Sequence, residues 1–271
     1  MTKEIAVILL GGEGKRMQSI TKYFPKCCLP IYDEPLLIKQ LKWLIDIKVK
    51  KVFLIINIKS NNMITQIIRS SGLEKLIEIV IICENEVKGI AFSLINLKDI
   101  IDNDTFIFML GDEYFDKPSY IKKIQNANIN PINIGVVKYE SIENICEGCN
   151  LLLNEKKGEV LKFIEKPFVN MISSKWCWNG VAVLNQYFIQ CLSENLNNKN
   201  VIDSYSNNVF IETFNEIIKS GIRVTYCKDE GHNININHMN DYYHAFVIER
   251  EKYEYKGNES SLHNMPFIRN W

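Results

Sequence analysis

An apolar run near the start of the chain ends in a glycine-rich turn that reads LGGEGKR from Leu10 to Arg16. Its glycines, Gly11, Gly12 and Gly14, let the backbone turn sharply and bring N–H groups close to phosphate oxygens. Arg16 adds a fixed cationic fork. The turn therefore predicts a triphosphate-binding loop. Neither the GxGxxG nor the GxxxxGK[ST] spacing is present, and a strand-to-helix turn without a ligand is the alternative.

Two charged residues further on are suited to phosphoryl chemistry. Lys26 lies between Pro25 and Pro30, which restrict the backbone on both sides, and a rigidly held ammonium is what a transferring phosphoryl group requires. Asp112 follows the apolar run 106–110, so its carboxylate is expected at the carboxyl edge of a strand, where it can bind Mg²⁺. A solvated lysine and a capping aspartate are the alternatives.

Apolar, β-branched runs alternate with helical stretches through the first half of the chain. The predicted strands are residues 5–10, 52–56, 77–82, 106–110 and 132–137. The predicted helices are residues 36–47, 61–70, 89–101 and 119–126. This alternation favours an α/β fold with a mostly parallel, doubly wound sheet, which binds its ligands at the carboxyl ends of the strands.

Shorter strands and turns are predicted after residue 140. The strands are 151–153, 160–164 and 181–184, with a turn at 154–158. They indicate a small substrate-binding lobe, at about 140–185, inserted into a domain of residues 1–250. The Asn-rich stretch 195–208 is predicted to be a loop, and residues 251–271 a C-terminal tail that is charged over 251–261. The apolar end 265–271 either docks, on the body or on a second subunit of a homo-oligomer, or frays.

The composition is that of an ordinary globular protein. The 271 residues are 46% hydrophobic, and the 32 basic and 32 acidic residues cancel, which argues against nucleic acid or an anionic membrane as partner. The run 5–10 is too short for a signal peptide and no run is long enough to span a membrane, so we expect a cytoplasmic protein. The eight cysteines are expected to be free. The pair Cys146 and Cys149 is interpreted as ordinary thiols, with a zinc site as the alternative.

Five motifs in register resemble the sugar-nucleotidyltransferase family, the sugar 1-phosphate pyrophosphorylases. They are the GGxGxR loop, PKxxLP at 25–30, LGD at 110–112, FIEKP at 163–167 and the Asn-Gly pair at 179–180. The resemblance covers roughly residues 4–250. It implies a GT-A-like, Rossmann-related fold and a Mg²⁺-dependent transfer of NMP from an NTP to a small phosphorylated acceptor, a sugar 1-phosphate, with release of pyrophosphate.

The resemblance also implies roles for individual residues. The NTP would be bound by Leu10, Gly11, Gly12, Gly14, Arg16, Glu84 and Gly89. The acceptor would be bound by Glu165, Lys166, Asn179 and Gly180. The catalytic residues would be Arg16, Lys26 and Lys166, and the magnesium ligands Asp112 and Asn235. The phosphate of such an acceptor is already deprotonated at neutral pH, so no general base is required.

Three departures from the family pattern concern the substrates and the metal. Glu84 stands where thymidylyl and uridylyl relatives often use a glutamine. An ionised carboxylate only accepts hydrogen bonds and suits the exocyclic amine of cytosine, which favours CTP; the alternative is a solvated loop residue. Asn235 stands where many relatives have a second metal-binding aspartate, and an amide oxygen is a weaker ligand. Residues 146–150 stand where relatives often have a Tyr-Gly pair facing the sugar.

Two other functions remain open. Within enzymes, the acceptor could be a phosphorylated alcohol or amino-alcohol, because the same phosphate-binding groups would serve a cytidylyltransferase of that kind. Outside enzymes, the chain could be an inactive relative that only binds or regulates, and Asn235 is the feature that raises this question. A dinucleotide-binding oxidoreductase is disfavoured, since the fingerprint spacing and its ribose-binding acid are missing.

Overall fold

The structure of the protein is a computed structural model. It describes residues 4–12, 14–86, 88–101, 105–116, 121–122, 132–199 and 206–257. The strands of the central sheet are β1 (Ile5–Leu9), β4 (Lys51–Asn57), β5 (Glu78–Glu84), β6 (Phe106–Leu110), β8 (Ile132–Lys138), β9 (Cys149–Asn154), β10 (Glu159–Glu165), β11 (Trp176–Leu184) and β12 (Val224–Lys228). Two separate two-stranded sheets are formed by β2 (Pro30–Ile31) with β3 (Glu34–Pro35), and by β7 (Glu113–Phe115) with β13 (Asn233–Asn235).

The helices flank this sheet. They are α1 (Gln18–Thr21), α2 (Leu36–Asp46), α3 (Asn61–Ser71), α4 (Ile90–Ile95), α5 (Ile142–Glu147), α6 (Gln186–Lys199), α7 (Ser206–Lys219) and α8 (Met239–Gly257). None of the described helices combines the length and the apolar composition needed to cross a bilayer.

The sheet has the strand order β5-β4-β1-β6-β11-β8-β12-β10-β9. Its first four strands are parallel, as predicted, but β11 enters antiparallel between β6 and β8, and β10 and β9 are also antiparallel to their neighbours. The predicted α/β fold is confirmed, and β12 pairs parallel with β8, so the reversed strands are β11 and β10. An apolar run buried on both faces has the same pattern in either strand direction, so the sequence did not indicate this reversal.

The strands of the predicted lobe at 140–185 are continuous with the central sheet. Strands β9, β10 and β11 all belong to the central sheet, and β11 lies between β6 and β8. The carboxyl ends of β1 and β6 therefore lie in the same sheet as Glu165, the last residue of β10. This continuity places the residues of the early and late motifs around one part of the sheet.

Alternating side chains of the parallel strands fill two cores. Val7 and Phe53 face one core, where helices α4, α6 and α7 pack, whereas Ala6, Ile8 and Leu54 face the other, where α2 and α3 pack. Successive side chains of a strand point to opposite faces, so each continuous apolar run supplies both layers at once. The rigid three-layer body holds the loops at the strand ends.

A third, smaller core lies beneath the glycine-rich turn. Met17, Leu29 and Ile31 pack there against Tyr114 of β7 and Ala245 of α8. The residues that carry the turn, the lysine segment and the last helix therefore share one apolar support. Burial of these side chains fixes segments that are far apart in the sequence.

Three predicted segments differ from the structure. The helix predicted at 89–101 ends at Ile95 and continues as turns. The polar stretch 195–208 is helical over 195–199 and 206–208, because Leu192 and Leu196, one turn apart, are buried and hold α6 in place. The predicted tail begins inside α8, which continues to Gly257. The helix predicted at 119–126 lies mostly outside the described residues, and the terminal segment 265–271 lies wholly outside them.

Candidate active site

A cavity of about 290 Å³ opens at the carboxyl ends of β1 and β6. We call it the main cavity. The predicted site residues that line it are Leu10, Gly11, Gly12, Arg16, Lys26, Gly89, Asp112, Glu165, Lys166, Gly180 and Asn235. The fold thus brings the five sequence motifs together, at the edge where ligands of such sheets bind.

The glycine-rich turn is held in shape by its third glycine. Gly14 has a φ of 62°, and a Cβ at this position would lie 2.7 Å from Thr21 Cγ2. Thr21 Oγ1 donates to the carbonyls of Gly14 and Met17, at 2.8 and 2.9 Å. Gly14 therefore does not line the cavity; it shapes the turn that presents Gly11 and Gly12 to it.

Lys26 is already fixed in the main cavity. Its Nζ donates to Asp112 Oδ2 and to Asn237 Oδ1, each at 3.0 Å, and only 10% of the side chain is exposed. The two proline constraints predicted for this segment accompany a single 3₁₀ turn, Lys26–Cys28, which begins directly after Pro25. The result is a preorganised ammonium beside a carboxylate, at the point where the glycine turn meets β6.

A buried carboxyl group, Glu113, lies next to Asp112. Its Oε2 accepts from Asn233 Nδ2 at 3.1 Å, and its Oε1 accepts from Asn235 Nδ2 at 2.7 Å. Burial, followed by the charge of Asp112, raises the pKa of Glu113, and the two amides oppose that rise. Gly180, with a φ of 81°, leaves the space for this carboxyl, because a Cβ there would lie 2.6 Å from Glu113 Cγ.

The donor set around Asp112 fits a hard divalent cation. Asp112 offers a carboxylate, and the Oδ1 of Asn235 is buried with no hydrogen-bond partner among the described residues. No group of three or more His, Cys, Asp or Glu in the described part of the chain could hold a metal by itself. The two oxygens therefore suit Mg²⁺, which commonly takes one or two protein ligands and completes its shell with phosphate and water oxygens.

Glu165 and Lys166 also line the main cavity. Burial raises the pKa of Glu165, against the influence of Lys166 and of the Cys149 thiol. Lys166 has a φ of 43°, which is unusual for a residue before proline, and its N–H donates to the Gly148 carbonyl at 2.9 Å. Such a left-handed conformation in a non-glycine residue is more common at functional sites than elsewhere.

Glu147 lines the main cavity and contacts two basic side chains. Its Oε2 lies 3.3 Å from an Arg16 guanidinium nitrogen and 3.5 Å from His238 Nε2, and it lines both the main cavity and a second cavity of about 520 Å³. The second cavity continues from the first past Glu113 and is lined by polar groups that include Asn144 and Asp241. An elongated polar ligand could therefore extend from one cavity into the other.

Besides Gly14, two predicted site residues lie outside the main cavity, Glu84 and Asn179. Glu84, at the end of β5, accepts from Ser93 Oγ at 2.8 Å and from Asn96 Nδ2 at 3.4 Å, and it reaches the cavity only through Ser93, which lines it. Burial raises the pKa of Glu84. Asn179 is buried, and its amide lies against Gly135, where a Cβ would be 2.3 Å from Asn179 Oδ1. It therefore packs β11 onto β8 instead of facing a ligand.

The CxxC pair is split between two elements. Cys146 lies in α5 and Cys149 begins β9, where burial raises the pKa of its thiol. All eight cysteines are free. Cys149 lines the main cavity, whereas Cys146 does not.

The sequence analysis did not identify Glu113 or Asn237 as site residues. A signal for Asn237 was available, because Asn233, Asn235 and Asn237 alternate with isoleucines, and this period of two puts the three amides on one face of an extended segment. Glu113 had no comparable signal. Its neighbours Asn233 and Asn235 are about 120 residues away in sequence, and only the pairing of β7 with β13 brings them together.

Several known proteins resemble this chain in sequence or in fold. Glucose-1-phosphate thymidylyltransferase of Xanthomonas campestris pv. campestris (strain B100) is 26% identical over 167 residues, which are 62% of this chain and 56% of that protein. The chain spans about half or less of the length of the curated relatives that it matches.

Two solved structures share the fold. An apo UDP-glucose pyrophosphorylase superposes with a TM-score of 0.79 at 18% identity, covering 93% of this chain and all of that one. The inositol-1-phosphate CTP transferase from T. maritima superposes with a TM-score of 0.72 at 18% identity, covering 93% of this chain and 98% of that one. The profile of the family described as Nucleotidyl transferase matches residues 5–246. Since that match covers most of the chain, the protein belongs to the Nucleotidyl transferase family.

Proposed function

We propose that the protein transfers NMP from an NTP to a small phosphorylated acceptor, a sugar 1-phosphate, and releases pyrophosphate. The observation that carries this proposal is the Lys26 ammonium, fixed between Asp112 and Asn237 at 3.0 Å from each. It lies in one cavity with the glycine-rich turn and Lys166. That arrangement suits a reaction between two polyanions, the NTP and the phosphorylated acceptor.

The NTP phosphates would lie on the backbone N–H groups of Gly11 and Gly12, with Arg16 leaving Glu147 to pair with them. Lys26 would contact the α-phosphate, and Lys166 the phosphate of the acceptor. An oxygen of the acceptor phosphate then attacks the α-phosphorus, and the bond from that phosphorus to the oxygen bridging to the β-phosphate breaks. Pyrophosphate leaves with the electron pair of the broken bond.

No proton has to be removed from the acceptor. The second pKa of a phosphomonoester is near 6, so the attacking oxygen is already ionised at neutral pH. Catalysis then consists of alignment and of neutralising charge on the α-phosphate. Asp112 and Asn235 would hold Mg²⁺, which supplies additional positive charge to the phosphates when bound.

CTP is the proposed nucleotide. Glu84 is a hydrogen-bond acceptor when ionised and is paired with the exocyclic amine of cytosine in this proposal. In the present structure its carboxylate is engaged by Ser93, so reading the base requires that contact to be exchanged or relayed. The T. maritima enzyme that shares the fold is named for CTP, which is compatible with this choice.

A non-sugar acceptor is the second candidate. The position of Glu147 favours it, because this carboxylate stands between the main and second cavities, where a polyol or amino-alcohol phosphate could present hydroxyl or amine donors to it. The phosphate-binding groups would be the same for both acceptors. The two candidates therefore differ only in what fills the space beyond Lys166.

A pyrophosphate-release assay tests both candidates. Four NTPs are crossed with sugar 1-phosphates, polyol phosphates, phospho-alcohols and phospho-amino-alcohols, with Mg²⁺ and with EDTA. We expect release that requires both substrates and the metal, fastest with CTP. No release in any combination would argue for an inactive, binding-only protein.

A further inference from the structure

Glu113 is buried at the boundary of the main and second cavities, with only 2% of the residue exposed. A carboxyl in this position requires hydrogen-bond donors, because an unpaired one is costly to bury. Both of its oxygens have one: Asn233 Nδ2 at 3.1 Å and Asn235 Nδ2 at 2.7 Å. These contacts use the two amide nitrogens and leave the two amide oxygens facing elsewhere.

The oxygen of Asn235 is the one that matters for the cavity. Its Oδ1 is buried and has no hydrogen-bond partner in the described part of the chain, although buried polar atoms are rarely left unpaired. Asn235 lines the main cavity with Asp112, and the adjacent Ile236 N–H donates to the Asp112 carbonyl at 2.9 Å. A side-chain amide keeps its oxygen pointing in one direction only when its nitrogen is held by a hydrogen bond on the opposite side.

The backbone around Glu113 fixes the position of its carboxyl relative to Asn235. Position 113 pairs directly with Asn235 in the β7–β13 ladder. Gly180 of β11 approaches so closely that any Cβ would lie 2.6 Å from Glu113 Cγ and 2.9 Å from its Oε1. The carboxyl of Glu113 is therefore in close contact with Gly180 of β11, and the two asparagines donate hydrogen bonds to it.

We propose that Glu113 is a positioning residue, which fixes the Asn235 side chain with its amide oxygen turned toward a divalent cation bound beside Asp112. This inference rests on the proposed function, which supplies the cation. A carboxylate that orients a neighbouring ligand commonly changes metal affinity about 10- to 100-fold when it is removed. Glu113 itself does not touch the cation or the substrates.

The role can be tested by exchanging the carboxylate and the amide between positions 113 and 235. Glu113→Gln places an amide nitrogen against one of the two asparagine nitrogens, so an asparagine must turn over. Asn235→Asp alone places two carboxylates where the present contact is 2.7 Å, which is repulsive. The double variant Glu113→Gln/Asn235→Asp restores a donor–acceptor pair with its direction reversed, and leaves one carboxylate oxygen free for the cation.

The experiment titrates Mn²⁺ into the full chain at saturating CTP without acceptor. Bound Mn²⁺ is measured by water-proton relaxation, and folding by circular dichroism. We expect Glu113→Gln to weaken Mn²⁺ binding at least tenfold, and the double variant to bind within about threefold of the wild type or more tightly. Glu140→Gln is the matched control, since it removes an exposed acid from the second cavity without touching Asn235. It should bind Mn²⁺ like the wild type.

Two results separate failure of this inference from failure of the proposed function. If Asp112→Asn does not weaken Mn²⁺ binding, the metal site itself is wrong and the inference falls with it. If Asp112→Asn weakens binding but folded Glu113→Gln does not, the site stands and the positioning role is wrong. Should Glu113→Gln fail to fold, Asn235→Ala is compared with the double variant. Loss of Mn²⁺ affinity in Asn235→Ala together with near wild-type affinity in the double variant supports the role, and unchanged affinity in Asn235→Ala or a tenfold loss in the double variant overturns it.

Discussion

Lys26 is the residue on which the proposed transfer depends most directly. Its ammonium is held by Asp112 and Asn237 before any ligand binds, so little reorganisation is needed when an α-phosphate arrives. Asp112 keeps 28% of its side chain exposed, so water can solvate it if the lysine is removed. The same contact that prepares the site is therefore not required to hold the fold.

Lys26→Ala should lower kcat about a hundredfold or more while the variant remains folded. The loss arises because a charge-assisted contact is removed from the transition state. Pyrophosphate release and circular dichroism measure the two quantities. Lys22→Ala, an exposed lysine on the same segment, serves as the control and should retain wild-type turnover. Wild-type turnover in folded Lys26→Ala would mean that the reacting phosphate lies elsewhere.

The choice of base is tested at Glu84. Glu84→Gln should reduce the ratio of kcat/KM for CTP over UTP, because an amide can also donate to the 4-oxo group of uracil. Glu86→Gln removes an exposed acid two residues away and should leave the ratio unchanged. The measurement is a competition of CTP and UTP for one acceptor. A wild type that prefers UTP or dTTP excludes base reading by Glu84.

At the scale of elements, the early strands could be predicted closely because each is an apolar run with clear boundaries. Strand β6 occupies residues 106–110, as predicted, and its carboxyl end placed Asp112 correctly in the cavity. The direction of β11 could not be predicted, since a strand buried on both faces carries no mark of direction. The loop predicted at 195–208 from its asparagine content is helical over 195–199, because burial of Leu192 and Leu196 stabilises α6 despite the asparagines around them.

The residues that line the cavity could be predicted where their position follows from their own segment. The glycine turn, Lys26 and Asp112 belong to that group. Glu84 was predicted to lie in the cavity, but its side chain accepts from Ser93 and Asn96 and does not line the cavity. Glu113 was missed because its partners come from a distant strand. Contacts between distant segments are set by packing, and a single sequence does not report them.

Asp229, in the segment that joins β12 to β13, lowers the stability of the folded protein in a pH-dependent way. Burial raises the pKa of Asp229 from its usual 3.8 to about 6, although the Gly231 N–H, which donates to Asp229 Oδ1 at 2.9 Å, opposes the shift. A folded-state pKa above the unfolded value means that the folded protein holds the proton more tightly. Stability therefore falls as pH rises from about 4 to about 6, and the cost is present in full above that window.

Asp229→Asn should remove this cost, because an amide oxygen can still accept from Gly231 without carrying a charge. We expect the free energy of unfolding to rise by up to about 3 kcal/mol at pH 7.5 and by less than about 1 kcal/mol near pH 4. Urea denaturation at the two pH values measures the difference. A gain of equal size at both would show that the charge of Asp229 is not its source.

At the scale of the whole molecule, the last helix secures the early segments of the chain. Glu249 of α8 accepts from Lys39 of α2 at 3.0 Å and from Lys252 at 2.9 Å, and it also accepts from the Tyr114 hydroxyl of β7. Lys39 has only 6% of its side chain exposed. This buried network lies behind the apolar core that supports the glycine turn, so α8 contributes to the site without entering it.

Glu249→Ala should lower the free energy of unfolding by about 3 kcal/mol, because it leaves buried Lys39 with only the partly exposed Asp33 as an ionic partner. Glu254→Ala on the same helix breaks an exposed pair with Arg250 and should cost less than about 1 kcal/mol. Urea denaturation compares the two variants. Equal losses would mean that the network does not anchor α8.

The central claim is that two phosphates are joined in the main cavity. It is tested most directly by ³¹P NMR of a reaction of CTP with an acceptor phosphate whose oxygens carry ¹⁸O. The proposed attack predicts equimolar pyrophosphate and a new diphosphate linkage, with ¹⁸O retained in the bridging oxygen, in the wild type but not in Lys26→Ala. Appearance of inorganic phosphate or free CMP without a new diphosphate linkage would contradict it.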